Sequence, residues 1–223
     1  LLSASSDGTL RIWDTQQGIL INTRYHDASV LSATFHPDES LIALGDDNGL
    51  VHLMDIENGQ IINTFDAHTD SVKTVAFDPS GTLLASAGLD TVIHLWDVAT
   101  GELTGTLTGH VDTINSLDFS ADGNRLVSAS DDTTIRIWNV TTGETNHILQ
   151  GHTDLVWQAN FSPDGNTMVS AGDDYTVRLW DSQTGTPLST FNGHNGAITQ
   201  IALDTAGRVV ASASEDQTIR LWD

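Results

Sequence analysis

Cysteine is absent from the 223 residues, which removes disulfides, thiolate nucleophiles and cysteine-ligated zinc together. Cations are nearly as scarce: Lys and Arg total 8 against 30 Asp and Glu, Lys73 is the single lysine, and the formal charge is −22. A chain of that sign repels phosphate backbones and anionic lipid, because nucleic-acid affinity depends on neutralising phosphates with cations. No nucleic-acid partner is therefore expected. No apolar run approaches the length that crosses a bilayer, so membrane insertion is not expected either. Sustained helical periodicity is missing as well. What is present, a hydrophobic content of 39%, suffices for a core. The expectation is a soluble chain, with the cytoplasm favoured. Residue 1 is Leu rather than Met, which puts the expected natural start further upstream.

The sequence repeats itself, and repeats are read before secondary structure because they decide the fold. Trp96, Trp138, Trp180 and Trp222 are 42 residues apart, and so are His26, His68, His110, His152 and His194. Trp13 belongs to the same series, and Trp157 is the one tryptophan off it. Within a unit such as 151–192, short β-branched runs alternate with the turns SPDG, DDY and SQTG, giving four strands per repeat. A four-stranded sheet of this size cannot bury both faces alone; stacking such sheets on one another does. The second strand of each unit is lined with small residues, as in Ser128, Ala129 and Ser130, which suits close approach between sheets.

With GH, PDG, SASxD and WD on a 42-residue grid, the chain resembles the WD-repeat (WD40) β-propeller family over its whole length. The resemblance implies an all-β propeller of four-stranded antiparallel blades. Six blades are visible: a partial blade at 1–25, full blades starting near 29, 71, 113 and 155, and a partial blade at 197–223. The first lacks its inner strand and the last its outer one, so the chain is expected to be part of a seven-bladed ring completed by other domains or subunits. Near-identical repeats of this kind also resemble the repeat regions of larger bacterial multidomain proteins.

The stretch LVSASDDTTIRIWN (126–139), with His110 upstream, holds the Ser, His and Asp of a hydrolase. The family resemblance assigns them instead to a buried structural tetrad. Its members would be His68, Ser86, Asp90 and Trp96; His110, Ser128, Asp132 and Trp138; His152, Ser170, Asp174 and Trp180; and His194, Ser212, Asp216 and Trp222. The chemistry is sensible: an indole N–H only donates, a serine hydroxyl accepts it and donates to imidazole, and imidazole donates onward to carboxylate. A catalytic role is disfavoured because the set recurs in nearly every unit, no GxSxG elbow accompanies the serines, and a nucleophile capped by Trp has no access. Ser3, Asp7 and Trp13 lack only the upstream His. One unit departs, carrying Leu44, Asn48 and Met54 where Ser, Asp and Trp are expected, with Tyr25 before His26 in place of Gly. Joint loss of the set is read as relaxed selection, since a partial network would strand buried polar groups.

No metal or cofactor is expected. Asp46, Asp47 and Asn48 lack the twelve-residue ligand spacing of an EF-hand and read as turn residues. His52 and His94 occupy the slot held by Arg11, Arg136, Arg178 and Arg220, so basic pairing explains them ahead of metal. No Walker motif is present.

The expected function, by family analogy, is a non-enzymatic scaffold that binds a protein or peptide partner through the top face of the propeller. The alternative is a sensor or regulatory propeller in a longer chain whose enzymatic domain, a kinase or nucleotide hydrolase, lies outside these residues. The family's contact positions fall three and five residues after the GH histidine and just before the tetrad Asp. They map here to Leu155; to Leu31, Lys73, Asn115 and Trp157; and to Asp47, Leu89, Asp131 and Asp173. Trp157 stands out, because exposed Trp is enriched among binding hot spots. It should sit with Leu155 on the face opposite Val156, flanked by Asp173.

Overall fold

In the strand Ile135–Asn139, Ile135 and Ile137 are buried while Arg136 between them is not, the period-two alternation of a pleated strand. Its neighbour Arg125–Ser130 is buried on both faces from Leu126 onward, which is why it carries Ala and Ser where larger side chains would collide with the next sheet. The same arrangement recurs along the chain. The computed structural model describes residues 1–66 and 68–223, and among them every regular element is a strand.

The chain divides into two compact units, Leu1–Thr106 and Leu107–Asp223. The first holds three antiparallel sheets. One is β1 (Leu2–Ala4), β2 (Thr9–Asp14) and β3 (Ile19–Tyr25); the next is β4 (Val30–Phe35), β5 (Leu41–Asp46), β6 (Leu50–Asp55) and β7 (Ile61–Asp66). The third is β8 (Val72–Phe77), β9 (Leu83–Gly88), β10 (Ile93–Asp97) and β11 (Leu103–Leu107). The second unit repeats the plan. It contains β12 (Ile114–Phe119), β13 (Arg125–Ser130), β14 (Ile135–Asn139) and β15 (Thr145–Leu149), then β16 (Val156–Phe161), β17 (Thr167–Gly172), β18 (Thr176–Asp181) and β19 (Pro187–Asn192). Its last sheet is β20 (Ile198–Leu203), β21 (Val210–Ser214) and β22 (Ile219–Trp222). Strands pair in chain order within every sheet, so these are the blades of a β-propeller, with three strands in the first and last and four in the others.

Blades pack face to face inside each unit. Val127, Ala129 and Ile137 of one blade meet Val156, Met168 and Trp180 of the next, and Ala43, Leu53 and Phe65 meet Val72, Leu84 and Trp96 in the same way. This burial between sheets is the main apolar stabilisation available to the fold. The inner strands add polar stitches: Ala159 N donates to Ser116 Oγ at 3.0 Å, Phe161 N to Asp118 Oδ2 at 2.8 Å, and Ile201 N to Gln158 Oε1 at 2.8 Å.

The Asp118 stitch makes stability depend on pH. Burial pushes the Asp118 carboxyl up to about 6, against hydrogen bonds from Phe161 N and Asn160 that favour the ionised form. A carboxyl raised in this way contributes fully only below its ordinary value of 3.8 and loses that contribution as the pH climbs to about 6. Asparagine keeps an acceptor for Phe161 N and removes the charge. Asp118→Asn should therefore leave stability unchanged near pH 3.5 and raise it by about 1–3 kcal/mol at pH 7. Urea unfolding at the two pH values checks this; an equal gain at both would contradict it.

Candidate functional site

Ser86, Ser128, Ser170 and Ser212, each on the second strand of its sheet, sit where an indole N–H and an imidazole nitrogen converge. Ser128 Oγ accepts from Trp138 Nε1 at 2.8 Å and lies 2.7 Å from His110 Nε2, while His110 Nδ1 lies 2.7 Å from Asp132 Oδ2. The geometry repeats at Ser170 with Trp180, His152 and Asp174, at Ser212 with Trp222, His194 and Asp216, and at Ser86 with Trp96, His68 and Asp90. Ser3 receives the Trp13 indole at 2.9 Å. Ser86, Ser128 and Ser170 are 0% exposed, so no substrate carbonyl can reach their oxygens.

The tetrad carboxylates also build the turn that follows. Asp132 Oδ1 accepts from Thr134 N at 2.9 Å and Thr134 Oγ1 at 2.6 Å, and holds Thr133 between them at a φ of 68°. Burial alone would raise the Asp132 carboxyl; the His110 and Thr134 hydrogen bonds outweigh it and hold the group well below the usual carboxylate range. Asp174 is held down by the same balance through His152 and Thr176. Burial lowers the His68 imidazole despite Asp90 beside it. Glycine precedes His110, His152 and His194, where the arginine and the tryptophan of the unit together crowd the position. A Cβ at Gly151 would stand 3.1 Å from Trp180 Cη2 and 2.8 Å from Arg178 Nη1.

The unit with Leu44, Asn48 and Met54 corrects the expectation of a lost network. Asp46 lies on β5 two residues after Leu44, hence on the same face of the strand, and is 1% exposed. Its Oδ2 is 3.2 Å from His26 Nε2 and 3.2 Å from His52 Nε2, and His52 Nδ1 is 2.9 Å from Thr64 Oγ1. The network is rebuilt on a different residue rather than abandoned. With Met54 and His52 in place of Trp and Arg, the crowding that demands glycine elsewhere is relieved, and Tyr25 stands there 79% exposed. The available signal was an aspartate at a position that is Gly88, Ser130, Gly172 or Ser214 in other units.

The residues five places after each repeat histidine share one local feature. Leu31, Lys73, Asn115, Trp157 and Thr199 are each skipped in the pairing of inner and second strands, between Val30 and Ser32, Val72 and Thr74, Ile114 and Ser116, Val156 and Gln158, and Ile198 and Gln200. Each is therefore a β-bulge residue, and a bulge re-aims a side chain out of the regular alternation. In the second unit the bulge side chain reaches the residue before the tetrad Asp. Asn115 Nδ2 donates to Asp131 Oδ1 at 2.6 Å, and Trp157 Nε1 donates to Asp173 Oδ1 at 2.5 Å. Val156 is fully buried while Leu155 and Trp157 are half-buried. Asp173 also lines a cavity of about 410 Å³ with Asp154, Glu215 and Asp216, together with Tyr175 and Ala197. In the first unit, Leu31 and Leu89 are 37% and 40% exposed, Asp47 is exposed, and Lys73 is half-buried. Asp173 was expected beside Trp157, but the indole-to-carboxylate hydrogen bond itself does not follow from strand alternation.

No helix among the described residues is long and apolar enough to cross a membrane. Compared with known families, residues 1–160 match the one described as Echinoderm microtubule-associated protein second beta-propeller. Residues 143–181 and 185–223 match WD domain, G-beta repeat. A search of the curated proteins found no match.

Proposed function

The chain belongs to the WD-repeat β-propeller family, and from that footing we propose that it is a non-catalytic platform binding a protein or peptide through the bulge end of its blades. The supporting observation is Trp157. Its indole is held by Asp173 at the edge of a cavity carrying Asp154, Asp173, Glu215 and Asp216. An aromatic face beside clustered carboxylates suits a segment that presents an arginine or lysine next to an apolar side chain. The indole is oriented before the partner arrives, which lowers the entropic cost of docking on it. Leu155 and Asp173 complete this contact in the second unit, with Asn115 and Asp131 forming the corresponding pair of the preceding blade. Leu31, Asp47, Lys73 and Leu89 are the equivalent contacts in the first unit. Burial of the tetrad serines supports the non-catalytic part of the reading.

Selection from a random peptide library on the immobilised chain tests the proposal. Selected peptides should carry a basic residue adjacent to an apolar one and should bind more weakly as salt rises. Trp157→Ala should cost about 2 kcal/mol or more of affinity, roughly a 30-fold loss, with melting unchanged. Unchanged affinity with lowered melting would show that Trp157 serves packing alone.

A further inference from the structure

The network rebuilt on Asp46 has the geometry of a ligand set. His26 Nε2 and His52 Nε2 both lie 3.2 Å from the same oxygen, Asp46 Oδ2. In the second unit, the tetrad imidazoles stand 2.7 to 2.8 Å from their carboxylates, the length of a direct charge-assisted hydrogen bond. Two contacts at 3.2 Å on one oxygen are long for that role. They match the edge of a tetrahedral zinc site, about 3.3 Å when Zn–N and Zn–O are about 2.0–2.1 Å. The imidazole rings meet at 61° with centroids 4.5 Å apart, and one ligand atom from each of His26, Asp46 and His52 lies within 4.8 Å of the other two.

Outer contacts orient two of the three groups, His52 and Asp46, inward. Thr64 Oγ1 lies 2.9 Å from His52 Nδ1; with Nδ1–H donated to it, His52 turns an Nε2 lone pair toward Asp46. Asp46 Oδ1 is occupied by Asn48 N at 3.0 Å and Leu50 N at 2.9 Å, which leaves Oδ2 facing the imidazoles. The side chains of His26, Asp46 and His52 are 12%, 1% and 8% exposed, so an ion among them would be shielded yet within reach of one water.

We propose that His26, Asp46 and His52 bind a divalent transition-metal ion, with Zn²⁺ the best fit to two imidazoles and one carboxylate and water as the fourth ligand. The ion would tie the segment before β4 to β5 and β6, the task that the tetrad performs in other blades. When no ion is bound, each imidazole can donate an Nε2–H to Asp46, so the blade stays folded and the site is reversible. The net charge of −22 favours cation uptake. His68, Asp90 and His94 gather in the adjacent blade, but His68 there spends Nε2 on Ser86 at 2.8 Å and Nδ1 on Asp90 at 3.0 Å. Binding at that second place would dismantle a tetrad, so one equivalent is expected.

The test is titration of the EDTA-treated protein with Zn²⁺ in competition with a chromogenic zinc chelator, with melting followed in parallel. The expected result is one tight equivalent and a higher melting temperature, with no such effect from Mg²⁺ or Ca²⁺, whose ligands are oxygen. His52→Arg installs the residue that four other blades carry in this slot and should keep the circular-dichroism spectrum of the metal-free protein. It should lose at least about 100-fold in Zn²⁺ affinity. Asp46→Asn, which retains an acceptor for Asn48 N and Leu50 N, provides a second variant with the same expected loss. Absence of tight uptake by the native chain, or uptake unchanged in the two variants, would overturn the proposal.

Discussion

Trp138→Ala is expected to destabilise the Leu107–Asp223 unit by about 3–5 kcal/mol, the usual cost of removing a buried aromatic side chain. Trp138 is 1% exposed. It packs against His110 edge-on, with ring centroids 6.1 Å apart, and Arg136 lies 5.7 Å from its ring centre. Its neighbours cannot refill the space readily. Gly109 has no side chain, and the central strand behind it is fixed by pairing on both sides. Deleting the indole also removes the donor to Ser128 Oγ. Denaturant unfolding followed by circular dichroism measures the loss. A change below about 1 kcal/mol would mean that the site collapses easily and that the tetrad is not a structural anchor.

Ser128→Ala carries the second large effect with almost no change in volume. One hydroxyl serves both Trp138 Nε1 at 2.8 Å and His110 Nε2 at 2.7 Å. Alanine leaves an indole N–H and an imidazole nitrogen unpaired among groups that are 0% to 5% exposed. Each orphan costs about 1–3 kcal/mol, so a total of about 2–6 kcal/mol is expected. The same variant separates structure from chemistry. Full stability combined with loss of a hydrolytic activity would make Ser128 a nucleophile and refute the structural role. Because repeats couple mainly to their neighbours, peptide binding at blades that do not touch Ser128 should persist under conditions where the variant remains folded.

The blade architecture was legible because it rests on signals that survive in every unit. Period-two alternation, turn residues at fixed offsets and a 42-residue grid of His and Trp leave few alternatives to stacked four-stranded sheets. The convergence of His110, Ser128, Asp132 and Trp138 was implied by the family resemblance, and the grid carries it to the other units. The departure at 25–66 was not legible. A position-by-position comparison finds Leu44, Asn48 and Met54 and reads a loss, whereas the Asp46 carboxylate, two residues after Leu44 on the same strand face, meets His26 and His52 instead. The placement of Asp173 beside Trp157 was expected, but the hydrogen bonds Asn115–Asp131 and Trp157–Asp173 were hidden for another reason. They depend on a bulge, which breaks the alternation from which facing residues are inferred.

A division of labour follows between indoles locked to serines inside the blades and the one indole held by a carboxylate at the bulge end. The measurement that tests it most directly follows the indole N–H resonances of the whole chain while a selected basic peptide is titrated in. The account predicts that the Trp157 signal moves and saturates with the peptide, while the signals of Trp138 and Trp180 stay in place. Movement of the tetrad indoles with Trp157 unperturbed would contradict it, placing the binding surface elsewhere and giving the tetrads a role beyond holding the blades.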